Sequence, residues 1–308
     1  MVRSSLLSIP TIYDHGNPSD RAIGVPLITR DGHVIEASLF SGAEKPKHIV
    51  VISSQISCPM KCTFCELGEE RFIRNLTSEE MVEEVRIMTD IARGRGVLAC
   101  QEPTKVTVAN SGEPLLNQQL IAALETISLF GVSFKVSTVF PAGSRAKKLF
   151  EHIATFASRN ETPVQIQISI ISTDESDRQA RAGSRVATFE ELREAGDFWR
   201  QTNPSGRKIN LSLIVSDDTP CDPEAILSHF PPEHFCVRFR EYVPTANGAR
   251  NGLRMIESDR LAELKSLFRA HGYERLDAGS PTPTEWKYGL VGNSFRTRYV
   301  RERMTTSP

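Results

Sequence analysis

The chain has 308 residues, of which 39% are hydrophobic and 24% are charged. This is an ordinary globular composition, and the length suffices for one large α/β domain or two smaller ones. Lys and Arg number 37 against 38 Asp and Glu, and a net charge of −1 disfavours a broadly basic nucleic-acid-binding protein. No stretch reaches the length of a membrane span and residues 1–10 make a poor signal peptide, so we expect a cytoplasmic protein with no membrane partner.

The six cysteines do not have the pattern of a secreted, disulfide-bonded protein, because three of them crowd into one short stretch. The other three, Cys100, Cys221 and Cys236, are interpreted as small buried hydrophobic side chains. Thiols of both kinds fit a reducing cytoplasm.

The N-terminal part, residues 1–45, is predicted to be an extension that carries a β-hairpin. Two apolar runs, 25–28 and 34–39, flank Asp31-Gly32. Asp-Gly between apolar runs is a strong hairpin signal, because glycine accepts the positive φ of a tight turn.

From residue 46 to residue 275, short apolar runs alternate with amphipathic helices. Strands are predicted at 48–54, 105–109, 133–138, 164–170, 210–215 and 235–243. Helices are predicted at 77–94, about 116–129, about 145–156, 188–200, just after Pro223, and 258–271, with capping boxes at Thr77 and Thr188. Six such pairs indicate the α/β class, with a parallel sheet that right-handed crossovers curl into a partial (β/α)6 TIM-like barrel. Residues 276–308 are predicted to form a C-terminal tail.

Three cysteines, Cys58, Cys62 and Cys65, follow the first strand of this pattern with the spacing C-x3-C-x2-C. Three thiolates suit a [4Fe–4S] cluster in which one iron has no protein ligand and stays open for chemistry. Structural zinc is the alternative, but it requires four Cys or His ligands, usually as paired C-x2-4-C units. A second such pair is missing from the sequence, which favours the iron–sulfur cluster.

Small polar residues end the next three strands. Gly112-Glu113 follows the second strand, Ser137 ends the third and Ser169 lies near the end of the fourth. Functional residues of parallel barrels gather at this edge, and a carboxylate there could take an ammonium group. The alternatives are a plain strand-to-helix turn for Gly112-Glu113 and helix caps for the serines.

These features resemble the radical S-adenosylmethionine (radical SAM) superfamily. Within it, the chain is similar to the 23S rRNA adenine methylases RlmN and Cfr over roughly residues 25–250. The segments that carry this resemblance are Ser53-Ser54-Gln55, the three cysteines, Arg74-Asn75-Leu76-Thr77, the run from Gly112 to Asn117, and Val136-Ser137-Thr138.

The resemblance implies a cofactor pair, a [4Fe–4S] cluster and SAM, and an external electron donor such as flavodoxin or ferredoxin. One electron would cleave SAM and give a 5′-deoxyadenosyl radical that abstracts hydrogen from the substrate, while the protein orients and shields the reactants. By the resemblance, Cys58, Cys62 and Cys65 are the metal ligands. The implied SAM contacts are Gly112, Glu113, Ser137, Ser169 and Asn247, of which Ser169 and Asn247 rest on position alone.

Two departures argue for a different substrate. RlmN and Cfr carry one reactive cysteine where this chain has Val51 and another near the C-terminus, whereas no cysteine follows Cys236 here. The cysteine motif also begins at residue 58, which leaves no room for an N-terminal RNA-binding domain. We therefore expect a small-molecule or peptide substrate and disfavour RNA.

Two other functions remain open at this stage. An RlmN/Cfr-like RNA methyltransferase with an altered mechanism would need a phosphate-binding surface, for which the tail offers Arg296, Arg298, Arg301 and Arg303. A non-catalytic zinc or iron–sulfur binding module would need a fourth protein ligand, for which Cys100 is the candidate. The sequence identifies no catalytic residue beyond the cofactor ligands.

Overall fold

A computed structural model describes residues 6–14, 22–41, 48–96, 104–159, 162–274, 276–277, 285, 289–290 and 294–306. The chain divides into two compact units. Unit 1 comprises Met1–Pro59, Glu70–Lys135 and Pro281–Pro308, and unit 2 comprises Met60–Glu69 and Val136–Ser280. Among the described residues, no helix is both long and apolar enough to cross a membrane.

Unit 1 begins with antiparallel strands. These are β1 (Leu7–Ser8), β2 (Tyr13–Asp14), β3 (Ile23–Thr29) and β4 (Val34–Ser41). Strands β3 and β4 form the predicted hairpin, in which Ile28 pairs with Val34 and Gly32 takes a φ of 84°. Strand β4 then pairs antiparallel with β5 (His48–Ile52), so the hairpin extends the sheet of the unit instead of standing apart from it.

Unit 1 also contains a separate two-stranded sheet, whose strands flank the cysteine segment in the sequence, and a further strand of the main sheet. Strands β6 (Gln55–Ile56) and β7 (Arg74–Asn75) pair antiparallel just before and after that segment. Strand β8 (Thr104–Val108) pairs parallel with β5. Helices α1 (Ser78–Gly94) and α2 (Leu120–Ser128) pack against each other beside this sheet, and the predicted capping box of α1 is present between Thr77 and Glu80.

Strand β9 (Ser133–Thr138) crosses the boundary, and unit 2 continues the β/α alternation. Its strands β10 (Val164–Ser169), β11 (Ile209–Val215) and β12 (Phe235–Glu241) pair in parallel in that order. The helices are α3 (Ser144–Arg159), α4 (Glu175–Ala182), α5 (Phe189–Thr202), α6 (Pro223–Leu227), α7 (Ala246–Arg250) and α8 (Ser258–Ala270).

The core of unit 2 is aromatic. The rings of Phe150 and Trp199 lie 6.1 Å apart between α3 and α5. Helix α5 approaches β12 so closely that a Cβ at Gly196 would lie 2.2 Å from the Phe235 ring. Only glycine fits there, so this helix seats directly on the strand.

The tail contains a helix, α9 (Ser294–Thr306), that packs on the hairpin of unit 1. The Phe295 ring meets the Tyr13 ring edge-on at 5.2 Å. The Arg296 guanidinium donates to the carboxylate of Glu70 and to the carbonyl of Val34, and its backbone N–H donates to Glu36. Arg296 is therefore buried in structural contacts, unlike the exposed Arg298, and does not contribute to the phosphate-binding surface that the alternative RNA methyltransferase would need.

Candidate functional site

Three motif segments of unit 1 are held together by the side chain of Gln55. Its Oε1 accepts from the backbone N–H of Glu113 at 2.7 Å, and its Nε2 donates to Oδ1 of Asn75 at 2.8 Å. Asn75 in turn donates to the carbonyl of Leu116 at 3.4 Å. One glutamine therefore fixes the β8 turn relative to β7.

Asn117 ties the same segments from the other side. Its Nδ2 donates to the carbonyls of Ser54 and Leu76 at 2.7 and 2.9 Å, and its side chain is fully buried. Three of the five segments that carry the family resemblance thus form one hydrogen-bonded network within unit 1. Buried amides of this kind are costly unless satisfied, and here each donor has a carbonyl acceptor.

Gly112 lies where a side chain would not fit. Its φ is 111°, and a Cβ there would lie 2.6 Å from Oγ of Ser54 and 2.7 Å from Cβ of Gln55. The hydroxyls of Ser54 and Ser111 are buried and have no hydrogen-bond partner among the described residues. Glycine therefore lets this turn pack directly on Ser54 and Gln55, and the buried, unpartnered hydroxyls of Ser54 and Ser111 suit a polar ligand group.

Glu113 follows Gly112 in the same turn, and its side chain is 3% exposed. Its Oε1 accepts from the backbone N–H of Leu115 at 3.0 Å and caps a 3-10 turn, Pro114–Leu116. One carboxylate oxygen of Glu113 therefore caps the start of a helical turn, which is the structural alternative that the sequence left open for this residue.

Two more carboxyl groups lie buried where β5 ends. Glu84 accepts from the backbone N–H of Ser53 at 2.9 Å, and the Ser53 hydroxyl donates to the carbonyl of Glu36 at 2.8 Å. Burial raises the pKa of Glu36 to about 7 and that of Glu84 well above its ordinary value. Both groups therefore hold protons more tightly than solvent-exposed carboxyls do.

The cysteine segment passes from unit 1 into unit 2. Cys58, in unit 1, and Cys62, in unit 2, are buried, and Cys65 is half-buried. In unit 2, two successive turns order the backbone: Cys65 N–H donates to Cys62 O at 3.2 Å, and Gly68 N–H donates to Cys65 O at 3.0 Å. Thr63 N–H donates to Arg181 O of α4 at 2.9 Å.

The Asn247 side chain lies against this segment, also within unit 2. Its Nδ2 donates to the carbonyls of Cys62 and Cys65 at 3.1 and 2.9 Å. Its Oδ1 accepts from Asn251 at 3.1 Å. Asn247 was expected as a SAM contact, and the structure places its amide in contact with the backbone of the cysteine segment.

The expected serines of unit 2 are half-buried and belong to neighbouring strands. Ser137 Oγ accepts from Nε2 of Gln167 at 3.4 Å. Ser169 pairs in register with Ser212 of β11, whose buried hydroxyl has no partner among the described residues. The sequence analysis did not identify Gln167 and Ser212. Both are polar residues in largely apolar strands, and this pattern could have pointed to them.

The donor chemistry of the cysteine segment fits an iron–sulfur cluster. Across the described ranges, no group of three or more Cys, His, Asp or Glu side chains is arranged to hold a metal ion, and this applies to the three cysteines as well. Structural zinc needs four ligands around one ion, at roughly 2.0–2.3 Å, whereas a cluster spreads its cysteine ligands over several irons. The candidate fourth zinc ligand, Cys100, lies outside the described residues.

Comparison with known proteins gives named relatives. No protein-family model matches the chain. It is 30% identical over 171 residues to a probable dual-specificity RNA methyltransferase RlmN of Chlorobium phaeobacteroides, covering 54% of this chain and 44% of that protein. It is 27% identical over 226 residues to a probable RlmN of Nostoc punctiforme, covering 69% of this chain and 58% of that protein. The chain thus spans about half the length of these curated relatives.

A solved structure has a similar fold. The crystal structure of a radical SAM methyltransferase from Sphaerobacter thermophilus superposes with a TM-score of 0.73 at 18% identity, covering 91% of this chain and 78% of that one. This similarity confirms the predicted fold class, the α/β partial barrel of the TIM-like type.

The prediction about the substrate is wrong. The sequence led us to expect a small molecule or a peptide and to disfavour RNA, whereas the named relatives are RNA methyltransferases. The physical reason is that net charge averages over the whole surface. A chain of net charge −1 can still present basic side chains on one face.

The predicted resemblance to the radical SAM superfamily rested on the cysteine spacing and on the segments that Gln55 and Asn117 join. Both the relatives and the shared fold agree with it. The chain is thereby confirmed as similar to RlmN-type RNA methyltransferases over about half of their length, and it shares the fold of a radical SAM methyltransferase.

Proposed function

We propose that this chain is a radical SAM enzyme that modifies RNA. The observation that carries the proposal is the network in unit 1, in which Gln55 and Asn117 join three of the motif segments, those around Ser54, Asn75 and Gly112. The RNA substrate class follows from the named relatives, all of which are RNA methyltransferases. The cysteine spacing supports the cluster.

The residues would divide the work as follows. Cys58, Cys62 and Cys65 would hold a [4Fe–4S] cluster. With SAM bound, that cofactor pair supplies one-electron cleavage of SAM and a carbon radical able to remove hydrogen from the substrate. Gly112 allows its turn to pack against Ser54 and Gln55, and the buried hydroxyls of Ser54 and Ser111 would be available to the polar end of SAM. In unit 2, Ser137 and Ser169 remain proposed SAM contacts.

Val51 has a consequence for the reaction. By the family resemblance this residue takes the place of a reactive cysteine, and a valine side chain can neither accept nor release a proton or a methyl group. The proposed RNA modification therefore proceeds without a thiol at this position.

The first experiment tests the cofactor chemistry. The protein is reconstituted anaerobically with iron and sulfide, supplied with SAM and dithionite, and assayed for 5′-deoxyadenosine. We expect about four irons per chain, as a [4Fe–4S] cluster requires, and deoxyadenosine formation that a Cys58→Ala/Cys62→Ala/Cys65→Ala variant loses. A Cys236→Ala variant is the matched control, because this half-buried thiol lies on β12 outside the motif. Absence of iron and of deoxyadenosine from the unaltered protein would refute the proposal.

The second experiment tests the substrate class. Total RNA is incubated with the loaded protein, SAM and reductant, digested to nucleosides and compared by mass spectrometry with RNA treated with the triple cysteine variant. We expect a modified nucleoside that appears only with the unaltered protein. RNA would be refuted as the substrate if adding it neither increased the production of deoxyadenosine nor gave a new modified nucleoside.

A further inference from the structure

The cysteine segment and α7 hold each other in place within unit 2. The C-x2-C spacing puts the carbonyls of Cys62 and Cys65 one turn apart, and each already closes a turn with a backbone N–H. The two N–H bonds of the Asn247 amide reach both carbonyls, at 3.1 and 2.9 Å. An amide nitrogen has two hydrogens to donate, so this one group is fully used.

The cysteine segment in turn provides hydrogen-bond acceptors for the start of α7. The carboxylate of Glu66 accepts from the backbone N–H of Ala246 at 2.7 Å and from that of Asn247 at 3.4 Å. The Thr245 hydroxyl donates to the carbonyl of Phe64 at 3.1 Å. The exposed pair Arg250–Glu69 joins the far end of α7 to the same segment.

Helix α7 has only 5 residues, which is far below the length at which a helix is stable by itself in water. Its order must therefore come from tertiary contacts, and the contacts with residues 62–69 are of this kind. Conversely, the turn at residues 62–65, which leads into the 3-10 helix Glu66–Glu69, gains fixed partners for the carbonyls of Cys62 and Cys65.

We propose that Asn247 is a positioning residue that sets the backbone of the cysteine segment in the conformation that binds the cluster, before any metal arrives. This proposal rests on the proposed cluster. Asn247 acts through the backbone carbonyls of Cys62 and Cys65. Removing its two donors takes one hydrogen bond from each carbonyl and releases the spacing between the two cysteines.

The first test needs no metal. Hydrogen exchange is measured by mass spectrometry on peptides covering residues 60–69 in the metal-free protein. Asn247→Asp keeps the size of the side chain, replaces the two donors by a carboxylate oxygen and repels the two carbonyls. We expect exchange in this segment to become at least about tenfold faster, which is about 1.4 kcal/mol of local opening.

Asn203→Asp is the matched control. Asn203 is also a buried asparagine of unit 2 whose Nδ2 donates to a backbone carbonyl, that of Ala154 at 3.1 Å. It makes no described contact with the cysteine segment. Equal acceleration of residues 60–69 in both variants, or none in Asn247→Asp, would overturn the proposal.

The second test uses the reconstituted protein and a chelator. We expect Asn247→Asp to lose iron at least about tenfold faster than the unaltered protein and Asn203→Asp to lose it at the unaltered rate. If the unaltered protein binds no cluster, the proposed function fails and the proposal falls with it. If the unaltered protein and Asn247→Asp retain iron equally well, the role of Asn247 is refuted and the proposed function stands.

Gly68→Ala provides an independent route to the same result when Asn247→Asp fails to fold. A Cβ at Gly68 would lie 2.5 Å from Nδ2 of Asn247 and 2.4 Å from the Cys62 carbonyl oxygen. The methyl group would push the amide away while residue 247 stays asparagine. Faster exchange and faster iron loss in this variant support the proposal, and unaltered values of both contradict it.

Discussion

At the scale of single residues, Gly112 is constrained twice. Its φ of 111° belongs to the region that side chains avoid, and a Cβ would collide with Ser54 and Gln55. Gly32 is constrained only once, because its φ is 84° but nothing lies within 4 Å of its Cβ position. An alanine at Gly32 would therefore cause backbone strain only, whereas an alanine at Gly112 would cause both backbone strain and a steric collision.

We therefore expect Gly112→Ala to cost more stability than Gly32→Ala. Overpacking adds about 1–3 kcal/mol to the strain that both variants share. Urea unfolding of the metal-free proteins measures the difference in the free energy of unfolding, and SAM binding by the reconstituted protein should weaken in Gly112→Ala alone. Equal losses of stability would mean that the turn relaxes and that the space around Gly112 is not needed.

Arg178 presents a second residue-scale case. The side chain is 1% exposed, and its guanidinium donates to the carbonyls of Val139 and Ala187 and lies over the Phe189 ring. Burial lowers the pKa of Arg178 to about 10, which leaves the group charged at neutral pH. Burying such a charge costs desolvation free energy, and substituting it costs stability because the carbonyls that it satisfied lose their donor.

We expect Arg178→Met to lower the free energy of unfolding by about 2–4 kcal/mol, because two buried carbonyls lose their donor. Arg193→Met on α5 is the control, since the exposed pairs of Arg193 with Glu190 and Asp197 contribute about 0–1 kcal/mol. Urea unfolding measures both. Equal small losses would show that methionine packing compensates for the missing guanidinium.

At the scale of elements, local signals predicted most of the fold. The capping boxes at Thr77 and Thr188 mark real helix starts, and the Asp31-Gly32 turn joins a real hairpin. Helices α4 and α7 were missed because they lack an apolar stripe long enough to recognise. Helix α7 in particular depends on Glu66, which lies 180 residues earlier in the chain. No local pattern contains such a contact.

In the candidate site too, local sequence patterns identified some residues, whereas contacts between residues far apart in the chain could not be predicted. Spacing alone was enough to single out Cys58, Cys62 and Cys65, and Gly112-Glu113 was identified from its position after a strand. The hydrogen bonds of Gln55 and Asn117 join residues 20 to 63 positions apart, and they appear only in the folded chain. Asn247 was noticed by position, but its contact with the cysteine segment was not foreseen.

Helix α9 gives the prediction at this scale. We expect Arg296→Ala to release the helix from the hairpin, because the guanidinium is the shared donor to Glu70 and to the Val34 carbonyl. Limited proteolysis should then cut residues 294–306 at least about tenfold faster, with a loss of about 2–4 kcal/mol in helix docking. Arg301→Ala is the control, because Arg301 lies on the exposed side of α9. Unchanged proteolysis in Arg296→Ala would show that the remaining contacts of the helix, such as the Phe295–Tyr13 ring pair and the backbone N–H of residue 296 to Glu36, are enough to hold it.

At the scale of the whole molecule, the buried carboxyl of Glu36 makes stability depend on pH. Burial raises its pKa from 4.5 to about 7 in the folded chain, so between these values the folded state holds a proton that the unfolded state has released. The stabilisation is complete below about pH 4.5 and is lost as the pH rises through about 7. Glu84 is shifted in the same direction.

We expect Glu36→Gln to remove the contribution of Glu36, because the amide is neutral at every pH and its oxygen can still accept from the backbone N–H of Arg296. The variant should be more stable than the unaltered protein by about 1–3 kcal/mol at pH 8, and this advantage should shrink toward zero at pH 5. Urea unfolding across this range measures the difference, and Glu125→Gln, an exposed carboxyl of unit 1, should show no such trend. An advantage that is equal at pH 5 and pH 8 would mean that the gain comes from packing and that Glu36 does not titrate in this window.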